Sequence, residues 1–275
     1  MGSKFPGYFR LSPSEYKKLW KQGIISMDAN VLLDLYRYSQ ETRDELLKLL
    51  NNLKDRLWIT NRAAFEFLEG RAGAICENIT RYEDSIARLD DLEKSFKEAR
   101  SHPFLEEQTA KEFSDTVAKL RQYLSGQKAE WEARAERTDE VEDTIVMLLE
   151  GRVGDGFSTD RISEICKEGQ LRFEKKIPPG YADAKKPEGI ARYGDLIIWL
   201  ELMGQAKAEQ KPVIFVTADS KEDWWRIVRG RFIGARPELR AEMLKESGQH
   251  VVFMSVNNLW PPRRNTWLKL LRQLP

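Results

Sequence analysis

Asp28, Glu66, Asp195 and Asp219 each sit in a short motif, and the motifs lie far apart in the chain: Ile-Ser-Met-Asp-Ala-Asn, Ala-Ala-Phe-Glu-Phe, Tyr-Gly-Asp-Leu-Ile-Ile-Trp and Ile-Phe-Val-Thr-Ala-Asp. Carboxylates brought together repel one another and resist ionisation unless cations sit between them. A converging set of hard oxygen donors of this kind suits Mg²⁺ or Mn²⁺. Divalent ions so held could activate a water and carry the negative charge of a phosphodiester under attack. Asp223 is a fifth candidate, since it lies four residues beyond Asp219 and could share its face of a helical turn.

The elements that must position these acids can be read around them. Ile24-Ile25-Ser26-Met27 and Val213-Ile214-Phe215-Val216-Thr217 are apolar, β-leaning runs. Asp28 and Asp219 therefore fall just past the carboxyl ends of two strands, where open α/β sheets place their ligand crevice. Each acid also has an ordinary reading. Asp28 and Asp219 could merely cap helices, while Glu66 and Asp195 could be solvated helix charges. Agreement among the motifs in one order favours the metal reading.

At these residues the chain resembles the PIN-domain nucleases, in particular a bacterial PIN-like group whose first motif runs Asp-x-Asn-Val-Leu-Leu-x-Leu-Tyr-Arg. The stretch here is Asp28-Ala29-Asn30-Val31-Leu32-Leu33-Asp34-Leu35-Tyr36-Arg37. The likeness continues through Arg56 to Thr60 and Glu66, and resumes at Tyr193 to Trp199 and Phe215 to Trp225. It covers roughly residues 20 to 70 and 180 to 260. The resemblance implies that Asp28, Glu66, Asp195 and Asp219 bind the metal, that Asn30 orients Asp28, and that Thr217 braces Asp219 or a water. It also implies RNA as the favoured substrate, because most of that family are ribonucleases.

Composition narrows the class. The 275 residues are 41% hydrophobic and 32% charged, ordinary for a globular chain with a sizeable core. With 45 basic against 44 acidic residues, no global excess marks nucleic acid, so any phosphate-binding surface must be local. Cys76 and Cys166 are the two cysteines, and neither belongs to a Cys-x-x-Cys pair. A zinc site or disulfide framework is therefore not expected, and a reducing cytoplasm fits. The first residues, Met1-Gly2-Ser3-Lys4-Phe5-Pro6, show no apolar signal core, and no membrane span is expected. His102 and His250 stand apart from any Ser or Cys motif, so a histidine triad has no support.

Along the chain, Ser12-Pro13-Ser14-Glu15 reads as a helix start, leading into a strand, a leucine-rich helix, a strand over Leu57 to Thr60 and a helix carrying Glu66. This β-α-β-α order predicts an α/β fold with a parallel central sheet flanked by helices, and the resemblance implies that the sheet is PIN-like. We read residues 1–275 as a single domain of that type, with an inserted helical hairpin at 71–150 and a loop-rich return segment at 151–192. In the insertion, Ile75, Ile79, Tyr82, Ile86, Leu89 and Phe96 recur at helical spacing, and Ser101-His102-Pro103 marks the turn before Phe113, Val117, Leu120 and Leu124. That stripe also suggests a homodimer. Order resumes with a helix over 191–209 and strands over 213–217 and 250–254.

Around the acids lie Arg37, Arg62, Lys185, Lys186, Arg192, Lys221, Arg229, Arg231 and Arg236, with Trp224 and Trp225 among them. They are the candidate nucleic-acid surface, with Trp224 a platform for an unpaired base. The plain alternative is a core tryptophan pair and a solvated basic face. The expected activity is metal-dependent RNA cleavage, most simply endonucleolytic. The rivals are a structure-selective DNA nuclease of flap-endonuclease type and a catalytically weak binding or assembly module. A protein inhibitor or antitoxin is a further expected partner class.

Overall fold

The computed structural model describes residues 1–2, 4–97, 105–136 and 139–256. The elements run α1 (Pro13–Gln22), β1 (Ile24–Met27), α2 (Ala29–Leu33), α3 (Gln40–Asn52), α4 (Asn61–Lys97), α5 (Glu107–Glu136), α6 (Glu140–Leu149), α7 (Thr159–Glu174), α8 (Gly194–Glu209), β2 (Val213–Thr217), β3 (Trp225–Val228), β4 (Arg231–Ala235), α9 (Pro237–Ser247) and β5 (Val251–Ser255). The chain divides into two compact units, Met1–Leu68 with the chain from Ile145 onward, and Glu69–Thr144.

The first unit is built on a parallel sheet ordered β1-β2-β5, flanked by helices as the sequence predicts. Met27 aligns with Val216, and Val216 with Met254, so the strands end level with one another. Every residue of β1 and β2 is buried, which is why both read as unbroken apolar runs. Helix α8 is apolar nearly all round, burying Leu196, Ile197, Ile198, Trp199, Leu202, Met203 and Ala206. The start of α1 follows the predicted chemistry: Ser12 Oγ accepts from the Glu15 amide at 3.3 Å while Glu15 returns to the Ser12 amide at 2.7 Å.

Two expected elements differ. Leu57 to Thr60 is extended but makes only isolated parallel bridges, Leu57 to Ile25 and Ile59 to Val153, because its successive residues pair with two different segments, Trp58 donating to the Ile25 carbonyl and Ile59 to that of Arg152. The return segment at 151–192 is not purely loop: it contains α7, capped by Ser158 and seated through Ile165, Gly169 and Phe173. Gly169 is required there, since a Cβ would come within 2.4 Å of the Tyr193 ring.

In the second unit, α4 and α5 pack antiparallel. Phe96 meets Phe113 edge-on at 5.2 Å, Arg121 bridges Asp90 and Glu93 at 2.5 and 2.9 Å, and Lys128 pairs with Glu83 at 2.9 Å. Ile75 and Val117 are buried in this unit. The predicted Ser101-His102-Pro103 turn lies outside the described residues. Among the described residues no helix is long and apolar enough to cross a membrane.

Candidate metal and nucleic-acid site

Asp28 follows the last residue of β1 and precedes the first of α2, yet its side chain makes no capping hydrogen bond. Its Oδ2 instead accepts from Asn30 Nδ2 and from the Thr217 hydroxyl, both at 2.7 Å. The plain capping explanation thus fails at this residue. Asn30 Oδ1 in turn accepts from the Ala218 amide at 2.8 Å, and Thr217 Oγ1 from the Asp219 amide at 2.9 Å. Asn30 and Thr217 therefore tie the ends of β1 and β2 together and fix Asp28 between them. Only 5% of Asp28 is exposed. Burial pushes its carboxyl up to about 6; the Thr217 hydroxyl opposes the rise, and the charges of Glu66 and Asp219 add to it.

Asp195 occupies the first turn of α8, and its Oδ2 accepts from Lys221 Nζ at 2.7 Å and Trp224 Nε1 at 3.2 Å. Burial raises its carboxyl to about 7 against the pull of Lys221, helped by the charges of Asp28 and Asp219. Glu66, on α4, accepts from Arg62 Nε at 2.6 Å. The glycine of the Tyr-Gly-Asp motif explains how α8 and Glu66 come so close: a Cβ on Gly194 would lie 2.5 Å from Glu66 Oε1. Asp219 sits just beyond β2, its Oδ1 accepting from the Lys221 amide at 2.8 Å. Asp28 thus feels the charges of Glu66 and Asp219, and Asp195 those of Asp28 and Asp219.

The cation at the centre is a side chain. Lys221 Nζ lies 2.7 Å from Asp195, 3.0 Å from Asp219 and 3.1 Å from Asp183. Burial alone would lower its pKa, but the Asp195 and Asp219 carboxylates reverse that and hold it charged. Asp183 enters from the turn Tyr181–Asp183 and also pairs with Lys186 at 2.7 Å. The sequence placed Lys221 on a nucleic-acid surface, whereas the structure commits its ammonium to carboxylates.

Other candidates are redistributed. Trp224 is fully buried, packed on Phe215, Phe253 and Trp199 at 5.4, 5.7 and 6.3 Å between ring centroids, so it is not a base-stacking platform. Asp223 is also fully buried; its Oδ2 accepts from the Gly180 and Ala182 amides at 2.9 Å each. That makes it a brace for the 180–182 loop, with Oδ1 buried and without a hydrogen-bond partner. Arg37 pairs with Asp34 at 2.9 Å, Arg62 with Glu66, and Lys186 with Asp183. Arg192 donates to the Ala184 carbonyl and lies against Tyr193. Lys185 stays exposed.

Glu201 escaped the sequence reading. It is buried on α8 and its Oε2 accepts from the Arg62 amide in the first turn of α4 at 3.3 Å; burial raises it to about 7 against the Arg62 and Asn61 amides. It anchors the helix that carries Glu66. Its position six residues after Asp195, amid an apolar helix, was the available signal.

Among the described residues, no group of three or more His, Cys, Asp and Glu side chains stands close enough to hold a metal ion as arranged. The donor chemistry nevertheless fits one: the four motif acids offer hard carboxylate oxygens, and Asp28 is buried with the charges of Glu66 and Asp219 acting on it. The model of the PIN like domain family matches residues 24–239. The chain belongs to this PIN-like family. No curated protein and no solved structure matches it significantly. PIN domains are in general nucleases that act on nucleic acid and typically use divalent metals, and this PIN-like chain carries a nuclease-type fold.

Proposed function

We propose that this PIN-like protein is a Mg²⁺- or Mn²⁺-dependent nuclease, with RNA the favoured substrate and endonucleolytic cleavage the favoured mode. The observation that carries the reading is Asp28: a buried carboxylate at a strand end, held by Asn30 and Thr217 rather than by a helix, and set among Glu66, Asp195 and Asp219. Asp28, Glu66, Asp195 and Asp219 are the residues that would hold metal. Bound divalent ions would supply an activated water and charge stabilisation at the phosphoryl and leaving oxygens. Asn30 and Thr217 fix the direction of Asp28 Oδ2. Arg62 and Glu201 fix Glu66 by orienting its side chain and its helix. Lys221 holds Asp195 and Asp219 together against their repulsion. RNA is favoured over DNA on family resemblance.

The test is incubation with single-stranded RNA, single-stranded DNA and a DNA flap, each with EDTA and then with Mg²⁺ or Mn²⁺ restored. RNA is expected to be cut only with the divalent ion. Preferential flap cleavage would move the protein to the DNA-nuclease reading, and chelator-resistant cleavage would reject the mechanism. A second expected result concerns Gly194. Gly194→Ala places a methyl where Glu66 Oε1 now lies. A displacement of about 1 Å at a reacting centre can lower turnover roughly 100-fold. The neighbour is a flexible side chain, so the melting temperature should hardly move; unchanged turnover would show that Glu66 placement is immaterial.

A further inference from the structure

The segment between the acidic cluster and α9 is a projecting ribbon that the sequence reading did not anticipate. β3 and β4 pair antiparallel, Ile227 opposite Phe232 and Val228 opposite Arg231. They turn at Arg229 and Gly230, with φ of 51° and 75°. Positive φ at both central residues is the two-residue geometry that matches strand twist. Every residue from Arg226 to Ile233 is exposed. That run contains Arg226, Arg229 and Arg231, and no Asp or Glu occurs from Trp224 to Pro237. In a chain whose charges balance at 45 against 44, this is a concentrated positive surface.

The root of the ribbon is fixed on the acids. Trp224 Nε1 donates to Asp195 Oδ2 at 3.2 Å, Trp225 Nε1 donates to the Asp219 carbonyl at 2.7 Å, and the Arg236 amide closes on the Trp224 carbonyl at 3.0 Å. Both indoles are buried. The ribbon therefore starts at the residues that form the acidic cluster. A cluster of carboxylates repels a polyanion, so attraction must come from cations nearby. Lys221, Arg62, Lys186 and Arg37 are each paired with carboxylates. Arg226 lies over the Tyr8 ring at 5.5 Å, and Arg229 and Arg231 make no ion pair among the described residues.

We propose that the ribbon over Trp225–Ala235 is a nucleic-acid grip, holding phosphates of the engaged strand on Arg226, Arg229 and Arg231 away from the cleaved bond. This rests on the nuclease reading above. A four-residue strand at roughly 3.3 Å per residue extends about 13 Å. At roughly 3.4 Å per nucleotide along a stacked strand, the grip reaches about four nucleotides from the acids. Affinity should therefore depend on substrate length.

The experiment uses the full chain carrying Asp28→Asn, so that bound nucleic acid is not consumed. Fluorescence anisotropy would compare labelled RNA oligonucleotides of about 2 and about 20 nucleotides, with matched single-stranded DNA, across a salt series, lengths chosen below and above the reach of the ribbon. The comparison is with the same chain bearing Arg226→Gln, Arg229→Asn and Arg231→Gln; Asn is tolerated at the positive φ of the turn. The longer RNA is expected to bind roughly 10-fold or more weakly to the triple variant, with its log–log salt slope shallower by about 2, because three phosphate contacts are lost. A second triple variant, with lysine at all three positions, should restore the slope, which excludes a folding defect as the cause. Equal affinity and slope in the glutamine–asparagine variant overturn the grip while leaving the nuclease reading intact. Absence of RNA and DNA binding by the parent chain overturns both.

Discussion

Asp28→Asn is expected to remove metal-dependent cleavage, lowering turnover by about 1000-fold or more, the scale seen when a charged group acting on the transition state is lost. It should at the same time make the metal-free protein more stable at neutral pH. The carboxyl is buried and its pKa is raised to about 6, chiefly by burial. A group raised in the folded state contributes its full stability below its unfolded pKa and loses it as pH rises through the folded value. Wild-type protein in EDTA should therefore lose stability between pH 4 and 7, on the order of 2–3 kcal/mol from this residue. An asparagine does not titrate, and its amide oxygen can still accept from Asn30 and Thr217. The variant should match wild type near pH 4 and exceed it near pH 8 in urea denaturation with EDTA. Asp219→Asn should likewise abolish cleavage with the fold intact. Retained cleavage in either variant sinks the site assignment; a pH-independent stability gap for Asp28→Asn would show that its carboxyl is not desolvated in solution.

The placement of Asp28 and Asp219 was readable because both follow buried parallel strands, whose unbroken apolar runs mark where the chain turns at the sheet's carboxyl edge. Asp195 was readable only through its motif, since a charged residue at the start of a helix looks the same whether it faces solvent or a site. The errors came from side-chain direction. Trp224 and Trp225 sit beside basic residues in sequence, but their indoles point inward onto Phe253, at 5.7 and 6.0 Å. Asp223 follows helical spacing from Asp219, yet the intervening chain is not helix, so one oxygen meets the 180–182 loop instead. The ribbon had a usable signal in Arg-Ile-Val and Arg-Phe-Ile runs around Arg229-Gly230, but arginine at a positive-φ turn position obscured it. Lys221 is the hardest case. Two of its three carboxylates, Asp183 and Asp195, are distant in sequence, and only the fold brings them together.

Lys221→Met tests whether that ammonium is the cation of the metal-free centre. Its removal leaves Asp195 buried without its nearest positive charge and frees Asp219 and Asp183 to repel it. Breaking one side of a buried ion pair costs about 3–5 kcal/mol. Lys221 retains partial solvent contact, so about 2 kcal/mol is the expected loss after screening. The penalty rises with pH as for any carboxylate–ammonium pair, but its window is moved up from the ordinary aspartate range to near 7. Asp195 has a carboxyl raised to about 7 by burial even with the lysine present, so below that pH it is already largely neutral and gains little from the ammonium. The penalty of the variant should therefore be small near pH 5 and grow as pH rises through 7, measured by denaturation in EDTA. Mg²⁺ or Mn²⁺ should then stabilise the variant more than wild type, because a divalent ion binding only the folded chain adds stability by mass action and no longer competes with the lysine. Calorimetric titration of the ion should show the same order, tighter in Lys221→Met. If variant and wild type have equal stability at pH 8 and equal ion affinity, the ammonium does not occupy the carboxylate cluster in solution, and the attraction holding Asp195 and Asp219 together must come from elsewhere.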